Sequence, residues 1–147
     1  MTILFVCTGN TCRSPMAAAL MALELDKRGV QDIIIENAGL SAYGEPAAPN
    51  AISVIDELDQ RSAETLGRHR SHNITEEQLI NADIIAVMSD AHAGAAIRRG
   101  ADPKKVHILS TKNESGITDP FGGDIDTYRE TRDRLIEAVG ALADDIL

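Results

Sequence analysis

Residues 2–15 read Thr-Ile-Leu-Phe-Val-Cys-Thr-Gly-Asn-Thr-Cys-Arg-Ser-Pro, and this stretch decides the fold. Residues 2–7 form an apolar run without polar alternation, as expected of a strand buried on both faces of a parallel sheet. The next residues are turn formers. Ser14 followed by Pro15 reads as a helix start, with Ser14 as N-cap and Pro15 at the first helical position. A helix over 15–28 follows, with Met16, Ala19, Leu20 and Leu23 at helical spacing and Gly29 as its stop.

Outward from this unit, strand and helix keep alternating. An Ile-rich strand is expected over 32–37, a Gly/Pro loop over 38–49, a helix over 50–59 and an irregular stretch over 60–74. Thr75-x-x-Gln78 is a capping box opening a short helix to Asn81. Residues 83–88 read as a third buried strand, and Ser89 or Asp90 caps a helix to about Arg99. The fourth strand is 105–109, the loop 110–123 follows, and Asp124 caps a long final helix. This order predicts one doubly wound α/β domain over 1–147, with about four parallel strands and helices on both faces.

The chain has 147 residues, 44% hydrophobic and 25% charged, which suits one aliphatic core because only two Phe, two Tyr and no Trp are present. A formal net charge of −9 argues against nucleic acid or an anionic membrane as partner. An anionic ligand must then be held by a strong local site. With no signal-like leader or long apolar segment, a cytoplasmic protein is expected; it is also expected to be a monomer. The two cysteines, Cys7 and Cys12, share one loop, which suits chemistry better than a disulfide scaffold.

In open α/β sheets, ligands bind beyond the carboxyl ends of the strands. The loop from Thr8 to Arg13 lies there, between a strand and a helix N-terminus. Its amides and the helix dipole suit a tetrahedral dianion, so Thr8, Gly9, Asn10, Thr11, Cys12 and Arg13 are the candidate phosphate-binding residues. Gly9 and Asn10 tolerate the left-handed backbone of a tight wrap. Cys7 sits at the base, where these groups stabilise a thiolate. Arg13 offers a planar fork for two phosphate oxygens. The chemistry that fits is in-line attack on phosphorus through a phosphocysteine, with Ser14 bonding the sulfur as it leaves. The rival reading, a buried strand-end Cys beside an ordinary turn, leaves Cys-x5-Arg-Ser unexplained.

Val-Cys-Thr-Gly-Asn-Thr-Cys-Arg-Ser-Pro resembles the active-site loop of the low-molecular-weight protein tyrosine phosphatase family. The likeness extends over the chain, including a late Asp-Pro. It implies a flavodoxin-like sheet of order 2-1-3-4 and a two-step mechanism without metal or other cofactor, acting on a phosphorylated protein.

A leaving group needs a proton. Of the two Asp-Pro pairs, Asp102 precedes the fourth strand and falls on the far rim, whereas Asp119 follows it and shares the rim with Cys7. Asp119 is therefore the expected acid, and later the base. Asn37, Ser71 and His72 are the candidate supports for Asn10, Ser71 and His72 by family likeness. His69, His92 and His107 read as solvated or helix-end residues without metal-ligand spacing. Cys12 is either a redox partner of Cys7 or a small packed thiol. Thr11, with Asp119-Pro-Phe121-Gly-Gly, resembles the protein-arginine phosphatase branch, while phosphotyrosine is the alternative substrate. Tyr43 and Phe121 are the candidate pocket walls for either.

Overall fold

The computed structural model describes residues 1–147. Four strands, β1 (Thr2–Cys7), β2 (Ile34–Gly39), β3 (Ile84–Val87) and β4 (Val106–Ile108), form one sheet of order β2-β1-β3-β4. All three pairings are parallel, with Cys7 opposite Gly39 and Val6 opposite Val87 at the carboxyl ends. The doubly wound sheet and its order match the sequence expectation. The helices are α1 (Arg13–Lys27), α2 (Pro49–Asp56), α3 (Gln60–Gly67), α4 (Glu76–Asn81), α5 (Asp90–Arg98) and α6 (Ile125–Ile146).

The side-chain period of two in β1 divides the core. Ile3, Phe5 and Cys7 pack with α1, α2, α3 and α6 residues such as Met16, Met21, Val54, Leu66 and Leu135. Leu4 and Val6 face the other way, onto Leu79 of α4 and Ala96 of α5. Ile3 through Val6 are fully buried, which explains the run without polar alternation. The body of this central strand is therefore fixed by packing on both faces, and its last residue, Cys7, is held with it.

Two local expectations change, and one open alternative is decided. The stretch 60–74 is not wholly irregular, because α3 spans Gln60–Gly67 with Asp59 as N-cap, its carboxylate accepting from the Ser62 amide. Ser14 is not an N-cap. The helix starts at Arg13 after Cys12, which makes no side-chain cap, and the Ser14 hydroxyl is spent on the loop instead. Ser89, rather than Asp90, caps α5. The Thr75–Gln78 capping box and the Asp124 cap form as read.

Candidate active site

The loop between β1 and α1 closes over the end of the sheet. Asn10 alone among non-glycine residues has positive φ, at 59°. Asn is among the few residues that take this conformation without large strain. Gly9 does not adopt it, so the expected two-residue left-handed wrap reduces to one. Gly39 is required for a different reason: a Cβ there would lie 2.8 Å from the Thr8 carbonyl oxygen and 2.9 Å from Asn10 Cβ. The end of β2 thus presses against the loop and shapes it.

Asn10 is fully buried, and every polar group of its side chain is used. Its amide nitrogen donates to Ser14 Oγ at 2.8 Å and to Asn37 Oδ1 at 2.7 Å. Its Oδ1 accepts from the His72 backbone amide at 3.1 Å. Its own carbonyl accepts from His69 Nε2 at 2.7 Å. Asn37 supports Asn10 as read. His72 supports it through the backbone and not the ring, which is exposed. Ser71 does not reach Asn10: its hydroxyl accepts from the Glu45 amide, and its amide donates to the Glu45 carbonyl. Ser71 therefore anchors the loop that carries Glu45.

Ser14 has one proton to give. Asn10 donates to its oxygen, so that proton is free for Cys7 Sγ at 2.9 Å, nearer than the Ala38 carbonyl at 3.5 Å. Cys7 is 3% exposed and sits beneath the loop with a hydroxyl donor on its sulfur. The first turn of α1 carries no acidic residue, so its amides keep their attraction for an anion.

Arg13 is nearly buried, and Nη1 donates to the Ile117 carbonyl at 2.9 Å. Its Nη2 lies 3.6 Å from Asp119 Oδ2. Asp119 Oδ1 accepts from the Phe121 amide at 3.0 Å, an Asx turn that fixes the carboxyl group. The segment carrying both partners is tied back to the sheet, because the Ile117 amide donates to the Met88 carbonyl. Asp119 therefore reaches the same rim as Cys7. Asp102 caps a short 3-10 turn ahead of β4, as its position in the chain requires.

Cys7 and loop residues 8–13 line a hollow of about 240 Å³, with Glu45, Asp119 and Phe121 on its wall. Tyr43 is not among the lining residues. It is 82% exposed, and its hydroxyl meets Ser41 Oγ. Phe121 is exposed at the rim. Cys12 and Cys7 are both free thiols. Cys12 Sγ lies 3.3 Å from the buried Tyr128 hydroxyl, and burial pushes the Cys12 thiol up.

Two histidines read as solvated or helix-end residues make contacts in the site that this reading did not include. His69 holds the Asn10 carbonyl, and burial holds its ring below the usual histidine range. His92 is buried in the first turn of α5, with Nε2 2.8 Å from Thr8 Oγ1. A lone histidine carries no spacing signal, and both contacts join residues far apart in the chain. Glu45 was likewise silent in the sequence. A Gly-Glu-Pro loop tip becomes part of the hollow only once Ser71 has clamped it.

The profile of the family described as "Low molecular weight phosphotyrosine protein phosphatase" matches residues 2–147. The chain belongs to that family. It is 37% identical over 148 residues to a protein-arginine-phosphatase from Bacillus subtilis (strain 168), covering 97% of this chain and 95% of the relative. It is also 37% identical over 145 residues to the low molecular weight protein-tyrosine-phosphatase PtpB of Staphylococcus haemolyticus, covering 97% of each. Among solved structures, a YwlE arginine phosphatase variant with a phosphorylated active site serine superposes with a TM-score of 0.86 at 36% identity. That match covers 99% of this chain and 95% of the other. The chain is accordingly an enzyme, a cysteine-dependent low-molecular-weight phosphatase. None of its helices is long and apolar enough to cross a membrane.

Proposed function

We propose that this phosphatase hydrolyses phosphoarginine side chains of proteins, with Cys7 as nucleophile, Arg13 as phosphoryl clamp and Asp119 as acid and base. The carrying observation is the composition of the hollow. Small, polar Thr11 lies in the loop, two carboxylates, Asp119 and Glu45, stand on the wall, and Phe121 is the one aromatic residue. A phosphoguanidine places a dianion at one end and polar N–H groups at the other, which carboxylates accept well. The relatives named as arginine phosphatases support the same reading.

The geometry supports the following course of reaction. The phosphoryl oxygens take the amides of residues 8–13 and the Arg13 fork, and Cys7 Sγ attacks phosphorus opposite the guanidine nitrogen. The S–P bond forms as the P–N bond breaks. The electron pair goes to nitrogen, which takes a proton from Asp119, and arginine departs. Asp119, now a carboxylate, takes a proton from water as the water oxygen attacks phosphorus. The S–P bond then breaks, its electron pair returns to Cys7, where the Ser14 hydroxyl meets it, and inorganic phosphate leaves. Two contacts support this role for Asp119: its Oδ1 is pinned by the Phe121 amide while Oδ2 faces Arg13.

Phosphotyrosine is the second reading, favoured by Phe121, whose exposed ring can flank a phenol. Rates on matched phosphoarginine and phosphotyrosine peptides decide between them. The phosphoarginine peptide should turn over faster, and Thr11→Ile should erode that preference by narrowing the loop. Faster turnover of phosphotyrosine by the unmodified enzyme would refute the substrate assignment while leaving the phosphatase chemistry intact.

A further inference from the structure

The contact between Thr8 and His92 has no part in the reaction as derived above, yet its surroundings constrain it closely. His92 is 6% exposed. Its Nδ1 is sealed from solvent and bonded by no protein group, the one buried side-chain nitrogen or oxygen in that position. A neutral imidazole carries one N–H and one bare lone pair. With the proton on Nδ1, a buried donor would be orphaned. With the proton on Nε2, only a lone pair lacks a partner, the less costly arrangement. The hydrogen-bond network therefore assigns the proton to Nε2, which donates to Thr8 Oγ1 across 2.8 Å. The doubly protonated ring is disfavoured. Burial, with Arg13 of α1 nearby, holds His92 at about 4 against the opposing pull of Asp119 from the loop before α6.

A hydroxyl that accepts from His92 has its own proton to place elsewhere. Thr8 is exposed and lines the hollow beside Cys7 and Arg13, and no other protein group bonds its Oγ1. We propose that His92 is a positioning residue that sets the Thr8 hydroxyl as a fixed O–H donor to a phosphoryl oxygen seated over Cys7. The inference rests on the reading of loop 8–13 as a phosphoryl seat. It adds a side-chain donor to a ring otherwise made of backbone N–H groups and one guanidinium. Nothing is transferred: His92 stays neutral and Thr8 keeps its proton.

The test is a double-mutant cycle read through competitive inhibition by inorganic phosphate during hydrolysis of an aryl phosphate. Thr8→Val should raise the inhibition constant about tenfold, as expected for losing one hydrogen bond to a charged group. His92→Phe should raise it severalfold when Thr8 is present and add nothing once Thr8→Val has been made. His92→Gln, whose side-chain amide keeps a donor, should recover most of the loss. Nitrogen NMR of the unmodified enzyme should show the neutral Nε2-protonated ring. The proposal is overturned by an unchanged constant in Thr8→Val or by an Nδ1-protonated ring. It is also overturned if His92→Phe weakens phosphate equally in both backgrounds, which is the mark of a purely structural role. Should His92→Phe not fold, Thr8→Val and the NMR measurement still decide. An unmodified enzyme that phosphate does not inhibit would overturn the seat itself, and this inference with it.

Discussion

Replacing Asn10 by Ala removes the central strut of the loop and should cost about 4 kcal/mol of folding stability. The side chain makes three hydrogen bonds, to Ser14, Asn37 and the His72 amide. Each contributes on the order of 1 kcal/mol net, and together they account for about 3. Alanine must then hold φ near 59° without the local compensation that Asn enjoys, adding about 1 kcal/mol. For a chain of this size, 1 kcal/mol shifts Tm by roughly 2–4 °C, so the midpoint should fall by roughly 8–16 °C. Urea unfolding at neutral pH, with calorimetry, measures both quantities. Asn10→Gly separates the two contributions: it loses the same bonds but tolerates the backbone, and should be about 1 kcal/mol more stable than Asn10→Ala. A loss below about 1 kcal/mol in Asn10→Ala would refute the claim that this network holds the loop, since three bonds of a fully buried side chain cannot vanish so cheaply.

Two further predictions concern chemistry and pH. Asp119→Asn should lower kcat/KM, which reports phosphoryl transfer to Cys7, by roughly 10²-fold or more on substrates whose leaving group needs a proton, and much less on an activated aryl phosphate; equal losses in kcat/KM on both would move the acid elsewhere. Stability should fall on acidification. His92 is held at about 4 against an ordinary 6.5, so between those values the unfolded chain binds a proton that the folded chain refuses. Glu57, held at about 2 against 4.5 by Arg129 and Arg132, contributes its stabilisation above 4.5 and loses it as pH falls toward 2. Urea midpoints across the histidine window should slope less in His92→Gln than in the unmodified chain; identical slopes would contradict the buried neutral ring.

The fold was legible because its signals are local and strong. The run through β1 cannot be exposed on either face, and the alternation with helices leaves little besides a doubly wound parallel sheet. The Thr75–Gln78 box and the Asp124 cap were readable for the same reason, since a cap and its amide lie three residues apart. Helix α3 escaped because its sequence, Gln-Arg-Ser-Ala-Glu-Thr-Leu-Gly, buries only Ala63 and Leu66 and carries no longer apolar stripe. Asp59 followed by Ser62 was the available signal. Ser14 misled because Ser-Pro resembles a cap, whereas the hydroxyl is drawn to the sulfur and to Asn10.

In the candidate site, motif and topology bring Cys7, Arg13 and Asp119 to one hollow, and their proposed roles rest on that. The Cys and the Arg sit on one loop, and only Asp119 of the two Asp-Pro pairs returns to the correct rim. The supports were less legible. Asn37 was found, yet the roles of His69, His92 and Glu45 depend on contacts across the chain that no spacing announces. His72 supports Asn10 through its backbone amide and Ser71 clamps the Glu45 loop instead, because neither a backbone amide nor a neighbouring-loop clamp leaves a mark in residue type. Tyr43 reads as a wall because it is an aromatic in the loop after the second strand, yet it is exposed and lies outside the hollow.

The most direct measurement is rapid-quench capture of the enzyme during turnover, followed by peptide mapping of the phosphorylated site. With an activated aryl phosphate as substrate, whose leaving group needs no proton, a phosphoryl group should appear on Cys7, accumulate further when Asp119→Asn slows the attack of water, and disappear in Cys7→Ala along with activity. Turnover with no phosphoryl group on that sulfur, or with one on another side chain, would contradict the account.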